Sequence, residues 1–196
     1  MTLTDTPERW PVVSSEEELS DWLITVRADE VRMPGDRIAK RLVVTHPGAV
    51  AVLAMDEANR VLMIRQYRHP VGELLWELPA GLLDQPGESP VEAALRELRE
   101  ETGYAASSLR PLVEFYTSPG FSTERIRIFL ARGLSELADR GYEPIEEEAA
   151  IELRWIPLGD AVEAVLSGDI HNGPAVAGIL AAHTALGREL RGPVPA

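Results

Sequence analysis

The spacing of hydrophobic and polar residues predicts a chain that alternates between strands and helices. Ala49 to Met55 is a continuous apolar run typical of a buried strand, and the turn after it leads into a second strand from Arg60 to Gln66. Further strands are predicted at Leu74 to Leu78, Leu112 to Thr117, Arg125 to Ala131 and Glu152 to Ile156. Short strands from about Trp22 to Val44 are broken at residues 33–36, whereas residues 1 to about 20 are weakly patterned and are expected to form a mobile arm.

A central helix is predicted between Ser89 and Gly103. Ser89 suits the N-cap, Pro90 the first helical position, Glu92 a capping box, and Gly103 a left-handed C-terminal cap. The predicted apolar stripe consists of Val91, Ala94, Leu95, Leu98 and Thr102. Two more helices are predicted near residues 159–167 and 174–190, the last with apolar positions 176, 179, 180 and 186. This order of elements predicts an α/β protein, an α/β/α sandwich on a mixed sheet.

Three glutamates form a second stripe on the central helix. Glu97, Glu100 and Glu101 lie beside the apolar positions, with Arg96 beyond them. Like charges at this helical spacing repel one another, so the stripe favours a bound cation. Oxygen ligands without Cys or His suit Mg²⁺ or Mn²⁺. The alternative is a solvated acidic face, which most charge runs form.

The composition of the chain argues against some classes of binding partner and predicts its cellular compartment. The 196 residues suit one domain with an elaborated terminus, and the 45% hydrophobic content allows a sizeable core. The net charge of -13 argues against a nucleic acid or an anionic membrane surface as partner, and it requires local cations if the substrate is a phosphate. The absence of cysteine excludes disulfides, thiolate metal sites and a Cys nucleophile. The polar, acidic N-terminus is unlike a signal peptide, and no apolar run approaches a transmembrane span, so a cytoplasmic location is expected.

The segment from Gly81 to Tyr104 resembles the Nudix box. That pattern is a glycine, five residues, a glutamate, seven residues, and then Arg-Glu-apolar-any-Glu-Glu-any-Gly-apolar. Here Gly81 and Glu88 match the first two positions, and the run from Arg96 to Tyr104 completes the pattern. Six residues rather than five separate Gly81 from Glu88, as if one had been added around Gln85-Pro86. The addition lies before the helix, so the helical carboxylates are expected to keep their places.

Features outside the box are similar to the bacterial, dimeric ADP-ribose pyrophosphatases of this family. They are the run Leu78-Pro79-Ala80-Gly81, Pro119 in the sequence SPGF, and a leader of about 45 residues. The resemblance implies the Nudix fold and cleavage of ADP-ribose to AMP and ribose 5-phosphate. It also implies a β-rich segment, 1–45, swapped across a homodimer, ahead of a Nudix domain, 46–196.

The resemblance implies a metal site on the central helix. Glu97 and Glu101 would bind metal together with the backbone carbonyl of Ala80, and Glu100 would join a second ion, giving two or more Mg²⁺ (or Mn²⁺) per site. Arg96 is interpreted as an ion-pair partner that orients a box glutamate. Glu88 is interpreted either as a charge at the helix entry or as an outer ligand.

A general base is implied on a later loop, in the run Glu146-Glu147-Glu148. Alignment on the tryptophan that follows favours Glu148, with Glu147 second, while Glu146 is interpreted as solvated. Closure of the loop would bring the base within reach of the attacking water.

Six substrate-binding residues are implied as well: Arg41, Arg68, Glu77, Arg27, Ser118 and Glu124. The first two are arginines suited to diphosphate oxygens, and the glutamate at position 77 would accept from the adenine amino group. Arg27 would stack on adenine or form a salt bridge across the dimer, and the last two would contact the terminal ribose. The histidines are interpreted as structural: His46, His69, His171 and His183. The four tryptophans are interpreted mostly as core or interface residues.

Three alternatives remain at this level. One is another Nudix hydrolase, acting on nucleotide sugars, dinucleoside polyphosphates or coenzyme A. A second is a catalytically silent sensor that binds ADP-ribose, although such proteins typically lose box glutamates. The third is an acidic Ca²⁺-buffering protein, which the apolar stripe and the absence of an EF-hand loop disfavour.

Overall fold

The computed structural model describes residues 3–139, 141 and 151–189. Two compact units are present. The first contains the described part of Met1–Pro47 together with Tyr116–Glu124, and the second contains Gly48–Phe115 and the described part of Arg125–Ala196. Among the helices of the described ranges, none has the length and apolar character needed to cross a membrane.

The first unit is built on an antiparallel three-stranded sheet. Its strands are β1 (Val12–Ser20), β2 (Thr25–Arg32) and β3 (Ile38–Thr45), in that spatial order. The turn predicted at residues 33–36 is confirmed. Gly35 and Asp36 adopt left-handed conformations there, with φ of 81° and 61°, which few residues other than Gly, Asn and Asp adopt.

Strand β1 contradicts the expected mobile arm over Val12–Ser20. All nine of its residues are exposed, so the sequence carries no hydrophobic alternation that would predict a strand. The strand is held instead by its pairing with β2, supported by the hydroxyl of Ser15, which donates to Asp29 at 2.6 Å. Lys40 on β3 also reaches Glu18 at 3.2 Å.

The second unit contains the remaining elements: β4 (Ala49–Ala54), β5 (Arg60–Arg68), β6 (Glu73–Glu77), β7 (Ala80–Leu82), α1 (Pro90–Thr102), β8 (Tyr104–Tyr116), β9 (Arg125–Glu136), β10 (Glu152–Pro157), α2 (Leu158–Ser167) and α3 (Gly173–Glu189). One sheet has the order β7-β4-β9-β8 and is mixed, because β4 runs parallel to β9 and antiparallel to β7. The other sheet, β10-β5-β6, is antiparallel.

Strand β4 lies between two hydrophobic cores and is buried at every position. Ala49, Ala51 and Leu53 face a core that includes residues of α2 and α3. Val50, Val52 and Ala54 face a second core that includes Ala93, Ala94 and Leu98 of α1. A strand covered on both faces lacks polar alternation, and this explains the continuous apolar run in the sequence. The predicted α/β fold with helices on a mixed sheet is confirmed.

Strands β8 and β9 are longer than the sequence predicted. The first half of β8 contains small and polar residues such as Ser107 and Ser108, which give little strand signal. Gly133 interrupts the apolar pattern of β9, yet its position is required because a Cβ there would overlap the Ser107 side chain. The two strands therefore approach closely at a point that the sequence pattern hides.

Candidate active site

Helix α1 begins and ends as its sequence predicted. The Ser89 hydroxyl accepts from the Glu92 N–H at 3.3 Å, and the Glu92 carboxylate accepts from the Ser89 N–H at 2.8 Å, which completes a capping box. Pro90 occupies the first turn. Gly103 closes the helix in the left-handed conformation, with φ of 76°, and donates to the Arg99 carbonyl at 2.8 Å.

The buried face of α1 is rotated toward its glutamates relative to the predicted stripe. Val91 is 46% exposed and Leu95 is half-buried, so the expectation that both belong to the buried stripe was wrong. The buried residues are Ala93, Ala94, Leu98, Glu101 and Thr102. Ala93 and Ala94 have small side chains, which let the helix lie close to the sheet on this side. Glu101 is on the same face and is therefore buried as well.

Two glutamates of α1 meet the short strand β7. A carboxylate oxygen of Glu101, a residue that is 6% exposed, accepts from the Ala80 N–H at 2.8 Å. The Glu97 carboxylate lies against Gly81, where a Cβ on any other residue would overlap it. Residue 81 must therefore be glycine if Glu97 is to keep this position. Strand and helix together hold two acidic groups side by side at a point where the backbone carries no side chain.

Arg96 supplies the positive charge on this face of the helix. Its guanidinium forms two hydrogen bonds with Glu88, at 2.8 and 3.0 Å, and it contacts Glu97 at 2.5 Å and Glu100 at 3.1 Å. All four side chains are between 13% and 18% exposed. The ion pair predicted for Arg96 is present and extends to three carboxylates. Glu88 therefore belongs to this charge network as well as lying near the start of the helix.

Proton affinities in this network follow from the same contacts. Hydrogen bonds from Arg96 hold the pKa of Glu88 below its usual range, against the opposing effect of desolvation. Glu88, followed by Glu97 and Glu100, raises the pKa of the Arg96 guanidinium, which remains charged at every accessible pH. The network therefore contains a fixed cation that favours the ionised form of Glu88.

Arg68 and Glu77, both predicted to bind substrate, bind each other. Arg68 Nε donates to one oxygen of Glu77 at 2.9 Å and Nη2 donates to the other at 2.7 Å. The Glu77 side chain is 3% exposed and that of Arg68 is 45% exposed. The β5–β6 hairpin brings them together, and Gln66 adds a long contact to Glu77 at 3.5 Å. Burying the Glu77 charge requires this partner, so Arg68 has a structural role beside any role in binding.

The two arginines predicted in the leader lie on the sheet of the first unit. Arg27 forks onto Asp29 with both contacts at 3.1 Å and donates to the Thr45 hydroxyl at 2.6 Å. Arg41 is exposed and donates to the Lys40 carbonyl at 3.0 Å. The structure therefore shows Arg27 paired within its own chain.

Ser118 and Glu124 flank the SPGF turn in the first unit. The Ser118 carbonyl accepts from the N–H groups of Phe121 and Ser122, at 3.1 and 2.9 Å. The Glu124 carboxylate accepts from the Thr117 hydroxyl at 2.5 Å and lies 3.7 Å from Nε2 of His46. The turn is ordered by its own backbone.

The predicted general base, Glu148, lies outside the described residues, and so do Glu146 and Glu147. Strand β10, which follows them, places Trp155 against Tyr104 in an edge-to-face contact with ring centroids 5.6 Å apart. Trp155 and Trp76 of the second unit both pack against hydrophobic cores, as expected. Trp22 in the leader is 83% exposed and is not a core residue of this chain.

Comparison with known proteins identifies the family. Residues 45–177 match the model of the NUDIX domain. An ADP-ribose pyrophosphatase of Mycobacterium tuberculosis is 48% identical over 171 residues, which is 87% of this chain and 82% of that protein. One from Bacillus subtilis is 39% identical over 82% of this chain and 85% of its own length. The chain belongs to the Nudix family. It is a Nudix pyrophosphohydrolase, as the box predicted.

A solved structure shows the same Nudix fold. The crystal structure of an ADP compounds hydrolase superposes with a TM-score of 0.76, covering 97% of this chain and all of that one, at 22% identity. The extra residue in the box is absorbed before the helix, where Glu88 N–H donates to the Gln85 carbonyl at 3.2 Å and Gly87 takes a φ of 82°. Helix α1 forms with both of its predicted caps despite the addition.

The box glutamates fit a divalent cation by their chemistry. Nudix hydrolases generally use divalent metals. No three His, Asp or Glu side chains of the described ranges are arranged as a metal centre, because Arg96 holds Glu97 and Glu100 while Glu101 accepts from the backbone. Three carboxylates of one helix nevertheless form the hard oxygen donor set that Mg²⁺ and Mn²⁺ prefer. Glu97, Glu100 and Glu101 would hold such an ion.

Two pairings that involve predicted substrate-binding residues were not predicted from the sequence. The pairing of Arg68 with Glu77 joins residues on adjacent strands, and only the strand register of β5 and β6 could have indicated it. The approach of His46 to Glu124 joins residues far apart in the chain, and no sequence signal indicates it. His46 was interpreted simply as structural, and its partner is one of the predicted substrate-binding residues.

Proposed function

We propose that this Nudix enzyme hydrolyses the diphosphate of ADP-ribose to AMP and ribose 5-phosphate, with Mg²⁺ or Mn²⁺ as cofactor and two or more ions per site. The observation that carries the proposal is the placement of Glu97 and Glu101 against Ala80-Gly81, in a box with every acidic position filled. Two relatives that match most of the chain have this activity in their names.

In this proposal, Glu97, Glu100 and Glu101 bind the cofactor together with the carbonyl of Ala80. When bound, a divalent cation neutralises diphosphate charge and lowers the pKa of water. Arg96 orients Glu97 and Glu100 by hydrogen bonds. The Ala80 N–H orients Glu101 by donating a hydrogen bond to one of its carboxylate oxygens. Groups held in this way need little reorganisation as charge develops in the transition state.

The remaining catalytic role is a general base, which we assign to Glu148, with Glu147 second. Glu148→Gln should lower turnover strongly while substrate affinity holds or improves, because a transition-state role and a negative charge are both removed. Glu147→Gln is the matched control and should do much less. If the two effects are reversed, the alignment is off by one residue, and if neither variant is impaired, the base is a box glutamate.

The six substrate-binding residues implied by the resemblance remain proposals: Arg27, Arg41, Arg68, Glu77, Ser118 and Glu124. Arg41 and Arg68 keep part of each side chain exposed, which a contact with diphosphate requires. Glu77 is paired on both oxygens with Arg68, so it acts on substrate chiefly through that arginine.

The leader, 1–45, is proposed to cross to a second copy in a homodimer. Most of the exposed large hydrophobic side chains of the described ranges lie in the first unit, including Trp22 at 83% and Leu42 at 55%. Such a concentration on a small sheet is typical of an interface. Light scattering at micromolar concentration should report a dimer, and a fully active monomer would contradict the proposal.

The deciding experiment is a product-resolved screen of nucleotide substrates with Mg²⁺. The panel contains ADP-ribose, nucleotide sugars, dinucleoside polyphosphates and coenzyme A. We expect ADP-ribose to be cleaved fastest, with AMP and ribose 5-phosphate as products, and the activity to disappear in excess chelator. Full activity in chelator, or rapid cleavage of another compound with none of ADP-ribose, would contradict the proposal.

A further inference from the structure

Four charged and aromatic residues form a cluster across the antiparallel sheet β10-β5-β6, and we name it the Arg–Trp cluster. Arg65 is on the central strand, directly opposite Trp76 on β6 and directly opposite Glu152 on β10. Arg154 comes two residues after Glu152 on β10, so the two side chains share a face of the sheet. All four residues belong to the second unit, and the pairing of three strands brings them together.

Both arginines of the cluster lie over the Trp76 ring. The guanidinium carbon of Arg65 is 5.6 Å from the ring centroid and that of Arg154 is 4.8 Å from it, which is within the range of cation–π attraction. Trp76 itself packs against the core that includes residues of α2 and α3. A half-buried aromatic ring therefore holds two positive charges close together, although like charges repel one another.

Glu152 is the carboxylate that the two arginines share. Arg154 Nη2 donates to Oε1 of Glu152 at 2.7 Å, whereas Arg65 Nη1 is 3.7 Å from Oε2, which is too far for a hydrogen bond. Because two arginines face one glutamate, these three side chains carry a net charge of +1. This local excess is opposite in sign to the net charge of -13 for the whole chain.

The Nε atom of Arg65 is buried and has no hydrogen-bond partner among the described residues. In five other arginines of the described ranges, Nε donates to a carboxylate oxygen: Arg27, Arg60, Arg68, Arg96 and Arg127. A buried donor without an acceptor is energetically costly. The Arg65 side chain as a whole is 38% exposed, so a small rotation of its guanidinium toward solvent would let Nε meet an acceptor from outside the chain.

We propose that the Arg–Trp cluster binds a phosphate-type anion, either inorganic phosphate or the terminal phosphate of a small molecule. A tetrahedral oxyanion offers several acceptor oxygens, which suit the forked donors of Arg65 and Arg154 together. Glu152 competes with the anion for the same donors. The net positive charge and the buried Nε donor both favour an anion over a cation or a neutral ligand. This site is separate from the proposed cleavage of ADP-ribose and does not depend on it.

Calorimetric titration with inorganic phosphate, in excess chelator and at constant ionic strength, tests the site. We expect the wild type to bind phosphate with a Kd of about 1 mM. Arg65→Lys keeps the charge but lacks the planar fork, so it should raise the Kd at least about fivefold. Arg60→Lys is the matched control, because Arg60 also lies over a tryptophan, at 5.7 Å, but its Nε already donates to Asp56 at 2.7 Å. Its Kd should stay within about twofold of the wild-type value.

Two further variants should change the affinity in opposite directions. Arg154→Met removes one guanidinium and should raise the Kd at least about tenfold. Glu152→Gln removes the competing negative charge and should lower the Kd about threefold. If the cluster only stabilised the sheet, neither substitution at position 152 nor at position 154 would tighten phosphate binding. Melting curves establish that each variant retains its fold.

The location of the bound phosphate is checked with a variant of the box. Glu101→Gln should leave the Kd within about twofold of the wild-type value, and a larger change would assign the phosphate to the box and overturn the proposal. Methyl phosphate in place of inorganic phosphate distinguishes the two sources, because equal affinity indicates a terminal phosphate group and much weaker binding indicates the free anion.

Two other results would overturn the proposal. One is the absence of binding by the wild type at about ten times the expected Kd. The other is equal affinity of Arg65→Lys and Arg60→Lys for phosphate, which would indicate attraction to positive charge alone. A failure of the wild type to cleave ADP-ribose would contradict the proposed function and leave this site unaffected.

Discussion

Replacing Arg96 with methionine tests whether one guanidinium holds the acidic face of α1 together. The substitution keeps most of the side-chain volume and removes four hydrogen bonds, two to Glu88 and one each to Glu97 and Glu100. The three carboxylates then lose the cation that they share, and Glu100 keeps its longer contact with Arg99. The lost hydrogen bonds and the repulsion among the three carboxylates are expected to lower the free energy of unfolding.

The magnitude follows from burial. Removing one partner of a fully buried ion pair costs about 3–5 kcal/mol, whereas an exposed pair contributes about 0–1 kcal/mol. The side chains of this network are 13–18% exposed, closer to the buried limit. We therefore expect Arg96→Met to destabilise the protein by about 2–3 kcal/mol, which lowers the melting temperature of a domain of this size by about 5–10 °C.

The assay is thermal unfolding in chelator and in Mg²⁺. Arg99→Met is the matched control, because Arg99 is on the same helix, is 47% exposed and contacts only Glu100 among these carboxylates, at 3.4 Å. It should cost less than about 1 kcal/mol. Added Mg²⁺ should raise the melting temperature of Arg96→Met more than that of the wild type, since the carboxylates then lack their own cation. Equal melting of the two variants in chelator would refute the reasoning.

Acid unfolding gives a second measurement on the same pair. The pKa of Glu88 is lowered in the folded state, chiefly by its hydrogen bonds with Arg96. Its contribution to stability is therefore complete above the unfolded pKa of about 4.5 and is lost as the pH falls through the lower folded value. Arg96→Met should show a smaller loss of stability across that window than the wild type. A steeper loss would contradict the assigned cause.

The remaining predictions concern packing and pairing. Gly81→Ala should cut turnover at least about tenfold yet lower the free energy of unfolding by less than about 1 kcal/mol, because the added Cβ displaces only a flexible carboxylate. Gly178→Ala, whose Cβ would meet a leucine methyl at 2.7 Å, should destabilise by about 1–3 kcal/mol in denaturant titrations, whereas Gly187→Ala in the same helix has open space and should stabilise by about 0.5 kcal/mol. Arg68→Ala should cost about 2–3 kcal/mol, and adding Glu77→Gln should recover part of it without restoring substrate affinity.

The central part of the fold could be predicted because its signals are local. Helix α1 has its N-cap, its first-turn proline and its terminal glycine within a short stretch, and β4 is apolar at every position because both faces are covered. Strand β1 could not be predicted, since all of its residues are exposed and only pairing with β2 makes it a strand. Local chemistry identifies an element, whereas strand pairing across a sheet leaves little trace in the sequence.

The same contrast between local signals and long-range packing applies to the predicted functional residues. The acidic stripe and Arg96 are close in sequence, and the structure brings them together as expected. The depth of Glu101 could not be predicted, because it depends on how two alanines let α1 approach the sheet. The restraint of Glu124 by His46 depends on a backbone connection between the leader and a distant turn. Helical periodicity gives the composition of a face, but the orientation of that face is set by the partner it packs against.

The acidic character of the chain bears on how an anionic substrate can bind at all. With a net charge of -13, the long-range field opposes a diphosphate. Two of the arginines predicted to act at the site do little to reverse it, because Arg96 pairs with three carboxylates and Arg68 pairs with the buried Glu77. We therefore expect bound divalent cations to supply much of the positive charge that the substrate needs. This expectation predicts that Mg²⁺ governs binding as well as turnover. If the proposed base is correct, Glu148→Gln binds ADP-ribose without cleaving it, and its affinity should fall in chelator; calorimetry showing unchanged affinity would contradict the prediction.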